Sequence, residues 1–266
     1  MHSATPGSAP DPALVARLRA AGCVFAEDEA ALLEAEPVSE QEREAMVVRR
    51  VAGEPLELIV GWAEFDGLRI TVAPGVFVPR QRSRLLVELA SRAARSALER
   101  TPDSTPRVVD VGTGTGAIGA AISRRVPRAE VWASDIDPAA VECARVNLAS
   151  NVVLGDLFSP LPHGLVFDVI VANAPYVPTE RIAQMPPEAR DHEHLVALDG
   201  GPDGLDIQRR VIEEAPERLA PGGVLIIESS REQAAVTADL MRTQGLAAEI
   251  HHDAELYATA VTGTSL

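Results

Sequence analysis

Val108-Val109-Asp110-Val111-Gly112-Thr113-Gly114-Thr115-Gly116-Ala117-Ile118-Gly119 is the stretch that decides the fold. A short valine-rich run of strand character leads into glycines at alternate positions and then into a helical pattern. Glycine at 112, 114 and 116 removes three Cβ atoms, so the backbone there can turn tightly and let a ligand approach it closely. Outward from this loop, the chain after Arg107 alternates two kinds of pattern. Short apolar runs predict strands over Val108–Val111, Glu130–Ser134, Val152–Leu154, Val169–Ala172, Val224–Glu228, Ala247–His251 and Tyr257–Val261. Helical periodicity predicts helices over Ala117–Arg125, Pro138–Leu148, Leu205–Arg218 and Glu232–Gln244, with an amphipathic one over Ser83–Arg100 before them. Strand alternating with helix is the pattern of an α/β doubly wound, mostly parallel sheet, here of seven strands. Ligands of such sheets sit outside the carboxyl ends of the strands.

The amino-terminal third reads differently. Residues 1–10 are small and polar and predict a disordered tail. From Asp11 to about Glu54 the pattern is helical, with Ser39 and Glu42 spaced as a capping box. Gly53 and Pro55 end that region, and short apolar stretches follow: Leu58-Ile59-Val60, then Phe65-Asp66-Gly67-Leu68 and Arg69–Val72. Asp-Gly between such stretches signals a hairpin. The expected division is a tail over 1–10, a helical substrate-recognition domain with its hairpin over 11–75, and an α/β domain over 76–266.

Composition narrows the chemistry. The 266 residues carry 24 basic and 39 acidic side chains, a formal charge of −15, and every basic group is arginine because lysine is absent. Schiff-base chemistry and a phosphate-binding P-loop lysine are thereby excluded. So acidic a chain gains little long-range attraction to phosphate backbones, and no stable nucleic-acid partner is expected. Cys23 and Cys143 stand alone, far apart and without metal-ligand spacing, as in a reduced, cytoplasmic protein. His192, His194, His251 and His252 lack a matching set of acids and cysteines, so no metal site is expected. No apolar stretch is long enough to span a membrane.

Three carboxylates fall at three successive predicted strand ends. Gly114, Gly116 and Gly119 match the G-x-G-x-x-G dinucleotide pattern, so the loop alone leaves NAD open. Asp110, at the end of the first strand of this region, favours a ligand that brings an ammonium group, as S-adenosylmethionine (SAM) does. A dinucleotide would put its pyrophosphate beside that charge. Asp135, about 20 residues past the loop, suits a ribose diol in either case. Asp156 can accept from an adenine amine, and Leu157 can cover the ring.

The fourth strand ends in Asn173-Ala174-Pro175-Tyr176. An amide or aromatic amine is a poor nucleophile, because its lone pair is delocalised. Two acceptors aimed at its hydrogens, the Asn173 side-chain oxygen and the Ala174 carbonyl, would orient it and favour the charge that develops as a methyl arrives. Pro175 stiffens the turn, and Tyr176 offers a ring face to the planar group. Arg80, Arg82 and Arg84 form a basic cluster suited either to docking a substrate or to a solvated helix start. The loop from Met185 to His194 lies where a lid would.

These segments resemble those of the HemK-type protein-(glutamine-N5) methyltransferases, over roughly residues 49–233. The resemblance runs through Arg50 to Pro55, Phe65-Asp-Gly67, Phe77-Val-Pro79-Arg80, Asp110 to Ile118, Asp135, Gly155-Asp156 and Asn173 to Tyr176. It continues through Leu198-Asp-Gly-Gly-Pro-Asp-Gly-Leu-Asp206, Pro221 to Gly223 and Glu228. It implies a Rossmann-like SAM-dependent methyltransferase fold, with Gly112, Thr113, Gly114, Thr115, Gly116, Asp135, Leu157 and Asn173 binding the cofactor. Asn173 to Tyr176 would hold a glutamine side-chain amide, and the implied partner is the Gly-Gly-Gln motif of a peptide-chain release factor. Three departures mark a divergent branch. Ala174 stands where the family usually has proline, and Gln81-Arg-Ser-Arg84 stands for Pro-x-Thr-Glu, placing arginine for an acid at the mouth between the domains. The amino-terminal region is also shorter. Other readings are N-methylation of an exocyclic amine in nucleic acid, an NAD-dependent oxidoreductase, and a SAM-binding module without activity.

Overall fold

The structure is a computed structural model describing residues 9–148, 151–185 and 190–266. The expected tail lies outside the described residues, apart from Ala9 and Pro10. Four helices open the chain: α1 (Pro12–Ala20), α2 (Ala26–Ala35), α3 (Glu40–Val51) and α4 (Leu56–Val60). The Asp11 side chain accepts from the Ala13 N–H at the start of α1, and Pro12 occupies a position whose N–H is unused there. Ser39 and Glu42 form both bonds of the capping box. Leu18, Ala26, Ala30 and Leu33 are fully buried in a core belonging to these helices. The stretch Leu58-Ile59-Val60 lies within a short helix, because Pro55 precedes α4 and left-handed Gly61 ends it.

The hairpin forms where Asp66-Gly67 predicts it, with β1 (Trp62–Phe65) paired to β2 (Leu68–Thr71). Both turn residues have positive φ, 53° and 70°, as a type I′ turn requires. The Asp66 carboxylate is buried and bonded twice by Arg125, with Arg84 at 3.5 Å and Arg124 beside it. These arginines hold its pKa below the usual range against the opposing effect of burial. Phe65 and Ile70 of the hairpin are buried in the main core.

The main sheet has seven strands: β3 (Arg107–Val111), β4 (Glu130–Asp135), β5 (Val152–Leu154), β6 (Phe167–Ala172), β7 (Leu219–Glu228), β8 (Ala247–Asp253) and β9 (Ala258–Thr264). Their order is β5-β4-β3-β6-β7-β9-β8, all parallel except β9, which runs antiparallel to both its neighbours. Helices α5 (Arg84–Arg100), α6 (Ala117–Arg125), α7 (Pro138–Asn147), α8 (Asp206–Glu214) and α9 (Ala234–Thr243) cover it. Successive strand residues face opposite layers. Val108, Val169, Val171 and Ile226 enter one core, while Val109, Ile170, Leu225 and Ile227 enter the other. The central strands β3 and β6 are therefore largely apolar, as expected where both faces are covered, while edge strand β8 carries Glu249, His251 and His252 and stays partly exposed.

The chain winds outward from β3 through β4 to β5, then returns to the other side of β3 as β6. That reversal opens a crevice at the carboxyl ends of β3 and β6. Several predicted boundaries move, among them two strand starts. β7 begins at Leu219, ahead of Pro221-Gly-Gly, with a register irregularity opposite Phe167–Val169. β9 begins at Ala258, because Tyr257 adopts φ 51° in an exposed turn. Among the described residues no helix is long and apolar enough to cross a membrane.

Candidate active site

A cavity of about 360 Å³ occupies the crevice at the strand ends. The glycine loop forms part of its wall. The Ser134 carbonyl, at the end of β4, accepts from the Gly112 N–H at 2.9 Å and the Thr113 N–H at 3.1 Å, fixing the loop to the neighbouring strand. Gly112 has φ 68°, and a Cβ built on it would meet no atom within 4 Å. Open space beside a left-handed glycine at the cavity wall is what close approach of a ligand to the backbone requires. Asn147 of α7 holds the loop from behind. Its amide donates to the Thr115 and Thr71 carbonyls, and its oxygen accepts from the Thr71 N–H, each at 2.8 Å.

The structure separates the three carboxylates. Asp135 lines the cavity, accepting from the Gly114 N–H at 2.8 Å and the Asp137 N–H at 2.9 Å, and burial raises its pKa. Asp156 also lines it, with Oδ2 paired to Arg210 of α8 at 2.7 Å. Leu157 beside it takes φ 47°, a costly conformation for a branched side chain, and lines the same wall. Asp110 lies beneath the loop. Its Oδ2 accepts from the Thr113 hydroxyl at 2.7 Å and the Gly119 N–H at 3.1 Å, while Oδ1 is buried without a partner.

Burial pushes the Asp110 pKa up to about 6 from 3.8. Between those values the folded chain retains a proton that the unfolded chain releases, so this group lowers stability as pH rises through the window. Asp110→Asn lacks that ionisation and keeps an acceptor for both donors. Its stability relative to the parent is expected to rise from pH 4 to pH 7, by at most about 3 kcal/mol. Urea unfolding at both pH values checks this, and a pH-independent difference would remove the assignment.

The Asn173-Ala174-Pro175-Tyr176 turn faces the glycine loop across the cavity, and all four residues line it. Two groups behind it, Ser83 and Glu228, come from distant segments. Asn173 Nδ2 donates to Ser83 Oγ at 3.2 Å, Ser83 Oγ donates to Glu228 Oε2 at 2.6 Å, and the Tyr176 hydroxyl donates to Glu228 Oε1 at 3.3 Å. Burial and the neighbouring Glu228 push the Tyr176 phenol well above its usual range. The Leu198–Asp206 stretch buttresses the turn from outside. Gly200 N–H donates to the Val177 carbonyl, Thr179 N–H to the Gly201 carbonyl, and Gln233 Nε2 to the Tyr176 carbonyl at 3.1 Å. Sequence reasoning missed Ser83, Asn147 and Gln233, since nothing local marks a residue whose partner lies in a distant segment.

Each arginine of the basic cluster meets a carboxylate, while the side chains stay partly exposed at the start of α5. Arg80 pairs with Glu193 at 2.7 Å, Arg82 with Glu228 at 3.0 Å, and Arg84 with Asp66 at 3.5 Å. Arg82 lines the cavity and lies over the Tyr176 ring. Arg84, the arginine that replaces an acid, turns toward the hairpin and is not among the lining residues, because α5 carries it toward Asp66. Of the expected lid, residues 186–189 lie outside the described residues. Met185 lines the cavity, and His194 holds the following segment against Asp137 at 2.6 Å.

The Methyltransferase small domain family model matches residues 67–186. A release factor glutamine methyltransferase of Moorella thermoacetica is 42% identical, over 74% of this chain and 69% of its own. The chain belongs to the release factor glutamine methyltransferase family. Another member, from Deinococcus radiodurans, is 38% identical over 78% of this chain and 73% of its own. The chain spans about two thirds of the length of such relatives. Among solved structures, the T. thermophilus 16S rRNA N2 G1207 methyltransferase, in complex with AdoMet and guanosine, superposes with a TM-score of 0.53 at 23% identity. That match covers 77% of this chain and 50% of the other. It shows that this chain shares the Rossmann-like methyltransferase fold with that rRNA methyltransferase.

Proposed function

We propose that this protein transfers a methyl group from S-adenosylmethionine to the side-chain amide nitrogen of a glutamine in a protein, and that the protein is a peptide-chain release factor. The observation that carries this reading is the placement of Asn173 to Tyr176 on the same cavity as the glycine loop, in a chain of this family. The residues present suit the cofactor. Left-handed Gly112 leaves space for it, and each Asp135 oxygen has lone pairs left for ribose hydroxyls. Asp156 and Leu157 line the same cavity and would accept from an adenine amine and cover its ring. When bound, the cofactor supplies a methyl group activated by its sulfonium.

The chain's own part is orientation. Asn173 Oδ1 and the Ala174 carbonyl accept from the amide NH2, and the Tyr176 ring holds the amide plane. Loss of proline at 174 leaves that carbonyl in place. Tyr176 remains a phenol and takes no proton; the amide proton becomes acidic only once the methyl has transferred. In this reading residues 11–75 recognise the substrate and residues 76–266 carry out transfer. Support for that division comes from the separate helical core, while Phe65 and Ile70 tie the hairpin to the larger part. Such a substrate places the protein in the cytoplasm. The test is incubation with labelled SAM and either a release factor or RNA. Label in the protein alone is expected, and label in RNA alone would replace this reading.

A further inference from the structure

The hydrogen bonds behind Asn173 determine which end of its amide faces the cavity. We propose that Ser83 and Glu228 are positioning residues that set the polarity of the Asn173 side chain and present its Oδ1 to the substrate nitrogen. This rests on the reading of Asn173 as the acceptor for a glutamine amide.

The direction follows from counting protons. Glu228 ends β7 and is 2% exposed. Its carboxylate, paired with Arg82, can only accept. Oε1 takes Arg82 Nε and the Tyr176 hydroxyl, and Oε2 takes Ser83 Oγ at 2.6 Å. The single proton of the Ser83 hydroxyl is thereby used, so toward Asn173 it has only lone pairs. Asn173 must therefore turn Nδ2 to Ser83, at 3.2 Å, and Oδ1 is left for the cavity. Exchanging the two amide ends would set two acceptors against each other in a part-buried place, which is costly. The charge at Glu228 thus fixes the direction of a hydrogen bond two groups away.

Glu228→Gln reverses the chain while keeping its shape. Arg82 and Tyr176 still donate, and so hold the new amide oxygen on their side. Its NH2 then faces Ser83, the Ser83 hydroxyl donates instead to Asn173 Oδ1, and Asn173 Nδ2 turns to the cavity, donor against donor. The expected loss in kcat for Glu228→Gln is about a hundredfold, and for Ser83→Ala, which frees the amide to rotate, about tenfold. Ser83→Thr retains the hydroxyl and is expected to stay within about threefold. SAM affinity, measured by calorimetry, is expected to hold in all three.

A merely structural role would move every affinity together, so the deciding readout is a ratio. A release factor bearing glutamate for the acceptor glutamine presents a carboxylate, which the parent's Oδ1 repels and to which a reversed NH2 donates. In Glu228→Gln its affinity relative to the glutamine form is expected to rise at least about tenfold. An unchanged ratio, or parental kcat in Ser83→Ala, would overturn the relay. The side-chain NH2 signal of Asn173 in ¹⁵N spectra reads the same bond without substrate. It is expected to move in Ser83→Ala and stay in Ser83→Thr, and an unmoved signal would overturn the relay by itself. Failure of the underlying reading looks different: the parent would bind both release factors alike.

Discussion

Asn173→Ala is expected to slow methylation of a release factor by about 10²- to 10³-fold, with SAM affinity within a few-fold of the parent. The amide nitrogen of glutamine gains nucleophilicity only as it pyramidalises and takes on positive charge. Acceptors fixed before the reaction stabilise that charge without reorganising. Asn173 Oδ1 is such an acceptor, held by the part-buried hydrogen bond from Nδ2 to Ser83 and standing just past the end of β6, the strand next to β3. The cofactor-facing features lie mainly across the cavity, in the glycine loop, Asp135 and Leu157, so they survive the substitution. Single-turnover methylation together with calorimetric SAM titration separates the two effects. Undiminished turnover would remove Asn173 from its assigned role, and loss of SAM binding alone would make it a cofactor ligand.

Gly204→Ala is expected to destabilise the fold by about 3 kcal/mol or more and to abolish turnover at temperatures where the variant remains folded. Two costs combine at this position. The backbone has φ 79°, and a Cβ would lie 2.4 Å from the Tyr176 carbonyl oxygen and 2.6 Å from Gln233 Nε2. The carbonyl is main chain of the active-site turn, so relief moves Tyr176 itself. Gly245 offers the control, since it has the same φ of 79° but nothing within 4 Å of a built Cβ. Gly245→Ala therefore carries the conformational cost alone, about 1–2 kcal/mol. Denaturant midpoints of the two variants measure the difference. Equal destabilisation would show that the contact with Tyr176 does not constrain the turn.

Much of this was legible in the sequence because it is local or periodic. The glycine loop, the Asp66-Gly67 turn and the Ser39–Glu42 capping box are set by neighbouring residues, and they form as their patterns predict. The central strands are legible because burial on both faces makes them almost continuously apolar. The stretch Leu58 to Val60 shows the limit of such reasoning, since a short apolar run is equally compatible with a helical turn until Pro55 and Gly61 are weighed. Long-range partners were not legible. Alternating arginines at 80, 82 and 84 look alike in sequence, yet each meets a carboxylate on a different segment. Ser83 and Glu228 lie 145 residues apart, and only the return of β7 beside β6 brings them behind Asn173. The Asp110 carboxylate illustrates a related gap: its strand-end position was readable, but its descent beneath the loop depends on the Thr113 hydroxyl and the Gly119 N–H.

The central claim is methyl transfer to a glutamine amide, and peptide mass spectrometry tests it most directly. The protein is incubated with SAM and a release factor, the release factor is digested, and the Gly-Gly-Gln peptide is sequenced by fragmentation. The account predicts that this peptide gains the mass of one methyl substitution, localised to the glutamine side chain and missing when Asn173→Ala replaces the parent. An unmodified glutamine after incubation with the active parent, or methylation confined to another residue, would contradict it.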